Sequence, residues 1–98
     1  MAFNMGLGGT VRLTSSALLL EGKPTRVYSI QFASAGTAGI VNLRDGSASG
    51  DIWLTETGTA STGKDFNYEN GLYFANGCYA ELTTTNVSYL TACVVREV

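Results

Sequence analysis

The sequence has 98 residues, which is the size of one domain. Charged residues make up 14% of it, against about 25% in typical domains. The six Lys and Arg residues are scattered, so no basic cluster neutralises a phosphate backbone, and this argues against nucleic acid as a partner. Histidine is absent, which excludes the usual zinc ligand sets and the Ser-His-Asp and Cys-His arrangements of nucleophilic enzymes.

Targeting signals are also missing from the sequence. No segment has the apolar length needed to cross a bilayer, and the leucine run within residues 17–20 is too short. The N-terminus lacks the charged start and long apolar stretch of a signal peptide. We therefore expect no membrane partner, and a protein that is kept in the cytoplasm or released by a route such as viral lysis.

In chain order, short alternating segments recur between clusters of Gly, Ser, Thr, Asn and Asp, and no stretch has helical periodicity over three turns. The glycine-rich residues 1–9 are predicted to form a flexible arm, and residues 10–98 a single domain. The predicted strands cover residues 10–14, 17–21, 25–33, 40–44, 52–56, 71–75, 78–82 and 87–96. Residues 66–69 are expected to form either a further short strand or an inserted aromatic anchor. The pattern predicts an all-β fold, namely a single antiparallel β-sandwich, jelly-roll-like, with roughly 6–8 short strands.

Two segments carry clear turn or loop signals. Residues 57–65, TGTASTGKD, contain nothing that could pack in a core, so we expect an exposed and mobile loop. Asn76 and Gly77 form a dipeptide typical of tight turns. The remaining residues, 78–96, predict a final hairpin that turns at residues 83–86.

The two cysteines fall on the two arms of that predicted hairpin. Pairing about the turn places Cys78 nearly opposite Cys93 on one face of the sheet. Directly opposed β-carbons lie about 4.5–5.5 Å apart, so a disulfide is within reach. Two buried thiols that pack as small apolar groups are the alternative, and a reducing cytosol favours it.

The loop that begins at Asp45 has a spacing similar to a calcium-binding loop. Asp45, Ser47 and Ser49 occupy alternate positions, a glycine follows, and Glu56 closes the motif. Serine is a poorer ligand than a carboxylate, and the flanking segments are predicted strands rather than helices. A small-residue hairpin loop is therefore the favoured interpretation, and no cofactor is predicted. The carboxylates show no spacing that singles out a catalytic pair, so no enzyme is predicted.

Aromatic residues are concentrated in the C-terminal third, where neighbours on a strand point to opposite faces. One face must be core, and the other is available for a subunit interface or a sugar-binding platform. The predicted interface residues are Trp53, Tyr73 and Tyr79, together with the apolar residues of the arm, Phe3, Met5 and Leu7. The arm is expected to pack on a neighbouring subunit and to order on assembly.

Two runs, VYSIQFASAGTAGIVNLRDGSASGDIWL and ENGLYFANGCYAELT, resemble small β-sandwich virion proteins of tailed bacteriophages, especially capsid decoration (cement) proteins and head-fibre modules. The resemblance covers residues 25–95. It implies a jelly-roll-like sandwich that acts by assembly and without catalysis, and it carries over no functional residue.

The sequence thus predicts a non-enzymatic structural subunit of a virion, in particular a decoration protein that binds the outer capsid surface and stabilises it. Capsid or other virion proteins are the expected partners, and a homo-oligomer is expected, with a trimer as one form. The alternative is a carbohydrate- or receptor-binding module of a fibre or tail, which would use exposed loops and aromatic side chains.

Overall fold

The computed structural model describes residues 8–20, 24–83 and 86–96. These residues form eight strands and no helix: β1 (Gly8–Leu13), β2 (Ala17–Leu18), β3 (Thr25–Ser34), β4 (Ile40–Asp45), β5 (Ile52–Thr57), β6 (Gly63–Phe74), β7 (Cys78–Leu82) and β8 (Val87–Arg96). Within this part of the chain there is accordingly no helix with the length and apolar character that a bilayer crossing requires.

The strands form two antiparallel sheets of four strands each. Sheet A has the order β1-β8-β3-β6, and sheet B has the order β2-β7-β4-β5. Among the described strands, only β4 and β5 are both neighbours in sequence and partners in a sheet. Every other connection takes the chain from one sheet to the other. Eight strands in this order form a jelly roll, and the predicted fold class is confirmed.

The core lies between the sheets, where alternate residues of each strand point inward. In β4 this alternation buries Val41 and Leu43, and in β3 it buries Ile30 and Phe32. Val27 of β3 is also buried, because the pairing shifts by a bulge between Val27 and Ser29. The buried apolar cluster is completed mainly by Phe74, Cys78, Ala80, Leu82, Val87, Leu90, Ala92 and Val94. Both sheets contribute to this single core.

Strand β6 differs from the prediction. It is one strand of 12 residues, and β5 ends at Thr57, so the expected loop at residues 57–65 is wrong for its first position and its last three. Asp65, for example, pairs with Gln31 of β3. An edge strand has one bonded neighbour, and only its inward-facing residues need to be apolar, so the polar composition of residues 63–65 gave no strand signal. Residues 66–69, expected as a short strand or an aromatic anchor, are continuous with the strand predicted at 71–75 through Gly71, whose φ is 76°.

The predicted final hairpin is also wrong, because β7 belongs to sheet B and β8 to sheet A. Cys78 is buried at the start of β7, whereas Cys93 is exposed on β8, and both are free thiols. Neither the disulfide nor the pair of buried thiols is therefore present. A turn signal marks where a strand ends, but it does not say whether the next strand pairs or crosses to the other sheet.

The structure also contains the predicted turn, and it shows where the first strand begins within the predicted arm. The turn at Asn76 and Gly77 is present, with the Gly77 amide donating to the Phe74 carbonyl at 3.2 Å and a Gly77 φ of 97°. It carries the chain from sheet A to sheet B. At the N-terminus β1 already begins at Gly8, so residues 8 and 9 of the predicted arm belong to the sheet. Residues 1–7, with Phe3, Met5 and Leu7, lie outside the described residues.

One end of the sandwich, called here the closed end, consists of residues 34–39, 58–62 and 86–87. The buried Ser34 hydroxyl accepts a hydrogen bond from the Gly39 amide at 3.0 Å, and the Ser34 amide donates to the Thr62 carbonyl at 3.0 Å. Gly58 fits against this group so closely that a β-carbon there would lie 2.6 Å from the Ser34 hydroxyl and 2.9 Å from Phe32. The connecting segments are therefore held together by hydrogen bonds and close packing.

Candidate interaction surface

Strands β5 and β6 are edge strands of different sheets, and they lie on the same side of the sandwich. The Tyr68 hydroxyl of β6 donates to the Glu56 carboxylate of β5 at 2.8 Å, which joins the two sheets. Burial, and after it the hydrogen bond and charge of Glu56, raises the pKa of Tyr68 far above its ordinary value. The tyrosine therefore remains a hydrogen-bond donor at all physiological pH values.

Trp53 is displaced from the regular pairing of β5. Leu54 pairs with Leu43 and Ile52 pairs with Arg44, so Trp53 is the extra residue of a β-bulge. The side chains of Ile52 and Trp53 are 48% and 55% exposed. The indole nevertheless lies against the buried Phe74 ring, with a centroid distance of 5.1 Å. Trp53 is thus held in place by the core while much of it faces solvent.

Tyr73 directly precedes Phe74 on β6, so its side chain leaves the opposite face of the strand and lies on the outer face of sheet A. It is 40% exposed, and the Arg26 guanidinium lies 5.2 Å from the centre of its ring. Arg26 also donates to the Asn70 carbonyl at 3.3 Å. Ile52, Trp53 and Tyr73 lie at the same end of the β5–β6 side and are together called the exposed corner. Trp53 faces Phe74, whereas Tyr73 and its neighbouring cation lie on the outer face of sheet A.

The sequence found two of these three residues. Trp53 and Tyr73 were predicted interface residues, and the structure brings them to the same corner. Tyr79 lies elsewhere, half-buried on β7 between Leu18 and Arg44. Ile52 was missed because strict alternation along residues 52–56 places it on one face with Leu54 and Trp53 on the other. No sequence signal for the bulge at Trp53 was available to correct that assignment.

The residues whose spacing is similar to a calcium-binding loop are not assembled into one site. The hydroxyls of Ser47 and Ser49 are 3.3 Å apart in the loop after β4. Glu56, however, pairs with Val41, four residues before Asp45, which is about 13 Å along the strand. No group of three or more acidic or cysteine side chains suited to a metal occurs among residues 8–20, 24–83 and 86–96.

Asp45 has a different environment from that of a metal ligand. One carboxylate oxygen accepts a hydrogen bond from Asn76 at 3.1 Å, and the other is buried without a partner among the described residues. Its neighbour in sheet B is Cys78. Burial, and secondly the charge of Asp45, raises the pKa of the Cys78 thiol to about 12, so this cysteine is unreactive in the folded protein.

The outer face of sheet B carries its own polar network. The same Glu81 oxygen accepts from Asn42 at 2.8 Å and from two nitrogens of Arg44 at 3.1 Å. Arg44 also donates to the Gly50 carbonyl at 2.9 Å, which fastens the loop after β4. The hydrogen bond from Asn42, followed by that from Arg44, lowers the pKa of Glu81. This face satisfies its polar groups internally.

The outer face of sheet A is polar and carries residues aligned across all four strands. One row runs Thr10, Cys93, Ser29, Asn67, and the next runs Arg12, Thr91, Gln31, Asp65. A shallow depression of about 210 Å³ lies between β3 and β6 and is lined by Ser29, Ile30, Gln31, Asp65 and Asn67. Cys93 is the exposed thiol of this face.

The described residues thus form a jelly-roll domain with partly exposed apolar side chains at one end of its β5–β6 side. No family model and no curated protein matches the sequence. Among solved structures, the chain is similar to a chain from work on Bacillus endospore appendages that form a novel family of disulfide-linked pili. The TM-score is 0.49 and the identity 8%, over 100% of this chain and 96% of that chain. At these values the similarity supports no conclusion about function.

Proposed function

We propose that this chain is a non-enzymatic structural subunit that binds other protein subunits through its exposed corner. The observation that carries the proposal is the partly exposed Trp53, which is held against Phe74. Tyr73, the residue before Phe74, adds a second exposed aromatic ring with Arg26 stacked on it. Tryptophan, tyrosine and arginine are the residues most enriched at the energetic centres of protein interfaces. Because the core already fixes the indole, binding would cost little side-chain entropy.

The particular assembly that we propose is a phage capsid, on whose outer surface the chain acts as a decoration protein. The support for this finer proposal is the resemblance of residues 25–95 to small virion proteins of tailed phages. The low content of charged residues, 14%, also suits a domain whose faces meet neighbouring proteins. The virion is then its location, after synthesis in the host cytoplasm.

Size-exclusion chromatography with light scattering tests the proposal, on the purified chain with and without the particle fraction of its source. The variants Trp53→Ser and Ile52→Ser should abolish co-migration with particles while the melting temperature stays close to that of the wild type. The matched control is Ile40→Ser, because Ile40 is 39% exposed but lies at the other end of the β4–β5 pair. Equal binding by all three variants would count against the exposed corner.

The predicted arm belongs to the same proposal. Its apolar residues Phe3, Met5 and Leu7 alternate with polar or small ones, as expected for a segment that packs along a neighbour. Deletion of residues 2–7 leaves β1 intact, because that strand begins at Gly8. We expect a folded domain with lost assembly, measured by circular dichroism and light scattering. Unchanged assembly would remove the arm from the proposal.

A carbohydrate-binding module is the second candidate, and the depression on sheet A favours it. Its lining offers the carboxylate of Asp65 and the amides of Gln31 and Asn67, groups that hydrogen-bond to sugar hydroxyls. A glycan panel tests this candidate, with Asp65→Ala and Asn67→Ala as variants and Thr55→Ala on sheet B as control. Glycan binding that Asp65→Ala removes would support it, and no binding to any glycan would exclude it for that panel.

A further inference from the structure

We propose that the β6 edge of one copy of this chain pairs with the β1 edge of a second copy, so that sheet A continues from copy to copy. The inference rests on the proposed function of a structural subunit, and it identifies the lateral partner as the chain itself. Strands β1 and β6 are the two edges of sheet A, and within the described residues no strand covers either outer edge. Such edges present unpaired backbone N–H and C=O groups.

The strand directions allow this pairing without inverting a copy. Each neighbouring pair in sheet A is antiparallel. Directions therefore alternate across the four strands, and β6 runs opposite to β1. A second copy placed beside the first in the same orientation brings its β1 alongside β6 in the antiparallel sense, so the alternation of the sheet continues.

The charges on the two edges are complementary and lie at the same level. Arg12 on β1 is in register with Thr91, Gln31 and finally Asp65 on β6. Continuing the row places Asp65 directly opposite Arg12 of the second copy. Opposite charges in such cross-strand positions stabilise pairing, and like charges oppose it. Charged residues on edges often prevent pairing, but here the two edges carry opposite signs at matching positions.

The inward-facing residues fit the same register. Val11 of β1 is aligned through Ala92 and Ile30 with Phe66 of β6. Val11 and Phe66 are partly buried and pack against the core cluster from its two margins. In the proposed pairing Phe66 lies opposite Val11 of the second copy, so both apolar margins become covered. The pairing thus buries apolar surface and joins opposite charges at once.

The contact is heterologous, because two different edges meet. Successive copies therefore form a closed ring or an open row, depending on the rotation between neighbours. The exposed corner lies at the opposite end of β6 from Asp65, since Tyr73 is eight residues further along the chain. Lateral pairing and binding through the exposed corner can then occur together on one copy.

Charge reversal tests the pairing. A dilution series measured by light scattering should show self-association of the wild type that is about tenfold weaker in Asp65→Arg and in Arg12→Asp. Mixing the two variants should restore it, because every β6–β1 contact in the mixture can then join opposite charges. Asp51→Arg is the matched control, since Asp51 is exposed on the loop after β4 and away from both edges.

Disulfide trapping tests the register. In a Cys93→Ser background, which removes the exposed native thiol, Arg12→Cys and Asp65→Cys proteins are mixed and treated with an oxidant. A disulfide-linked dimer should form in the mixture much faster than in a mixture of Arg12→Cys with Asn67→Cys, whose cysteines lie diagonally. Directly opposed β-carbons have the spacing that a disulfide requires, whereas diagonal ones are too far apart.

The outcomes separate this inference from the proposed function. Self-association that neither charge reversal weakens would overturn the β6–β1 pairing but leave a structural subunit. A wild type that stays monomeric at every concentration would also overturn the pairing, and particle binding by the exposed corner would then decide the proposed function alone. Self-association that is weaker in both charge-reversal variants and recovers when the two variants are mixed would support the pairing.

Discussion

The closed end and the exposed corner differ in how their side chains are packed and exposed. At the closed end three connecting segments form hydrogen bonds with one another around the buried Ser34, and the packing at Gly58 leaves no room for a β-carbon. At the exposed corner the bulge at Trp53 leaves two large apolar side chains facing solvent. Stability should therefore be sensitive to changes at the first region, and binding to changes at the second.

The largest effect is expected from Phe32→Ala. Phe32 is fully buried, lies beside Gly58 of the closed end, and stacks on Phe66 at a centroid distance of 5.6 Å. Its removal leaves a cavity, and we expect a loss of about 3–5 kcal/mol in the free energy of unfolding. Urea denaturation measures this. Trp53→Ala should cost clearly less, and equal losses would contradict the contrast between the two regions.

Gly58→Ala should have the next largest effect. The added β-carbon would meet both Ser34 and Phe32 at distances that require movement of packed atoms. We expect a loss of about 1–3 kcal/mol by thermal or urea denaturation. Gly36→Ala is the control in the same region, because nothing lies within 4 Å of its added β-carbon. A Gly58→Ala protein as stable as the control would show that the closed end can relax.

Tyr68→Phe tests the link between the two sheets on the side of β5 and β6. It removes the hydrogen bond to Glu56, and we expect a loss of about 1 kcal/mol in the free energy of unfolding. Tyr73→Phe, at the exposed corner, should leave stability unchanged. If both variants lost the same stability, the bond between Tyr68 and Glu56 would have no special part in joining the sheets.

The smallest loss of stability is expected from changing Glu81, and this loss should depend on pH. Because the pKa of Glu81 is lowered in the folded state, its stabilisation is complete above its ordinary pKa of about 4.3. It is lost as the pH falls through the lower folded-state pKa. Glu81→Gln should thus be less stable than the wild type at pH 7 by under about 1 kcal/mol, since the carboxylate is 37% exposed. The difference should vanish in acid.

The control for this experiment is Glu69→Gln, which changes an exposed carboxylate of β6. Denaturation curves at several pH values should show no comparable convergence for this variant. A difference between wild type and Glu81→Gln that persists in acid would instead point to packing rather than charge.

Periodicity predicted the central strands well, because their two faces differ. In β3 the inward Ile30 and Phe32 alternate with the outward Gln31, and the predicted strand at 25–33 is within one residue of Thr25–Ser34. The first three residues of β6 escaped prediction because an edge strand needs few apolar residues. Gly63, Lys64 and Asp65 pair with β3, and the side chains of Lys64 and Asp65 face water.

Pairing partners were harder to predict than strands. Cys78 and Cys93 were expected on one hairpin, but the choice between pairing and crossing depends on how the whole core closes rather than on the turn between them. Exposure at the corner was partly predictable. Trp53 was predicted as an exposed aromatic interface residue, whereas the exposure of Ile52 accompanies a β-bulge at Trp53 that the sequence does not reveal.

The pairing of β1 with β8 has a consequence for the order of events during synthesis. β1 is the first described strand and its partner β8 the last, so loop closure across nearly the whole chain must precede their contact. While the ribosome is still adding residues 87–96, β1 has no neighbour and the edge that a second copy would meet does not exist. Association through that edge is thereby postponed until β8 has been synthesised and has paired with β1, which reduces misassembly among nascent chains.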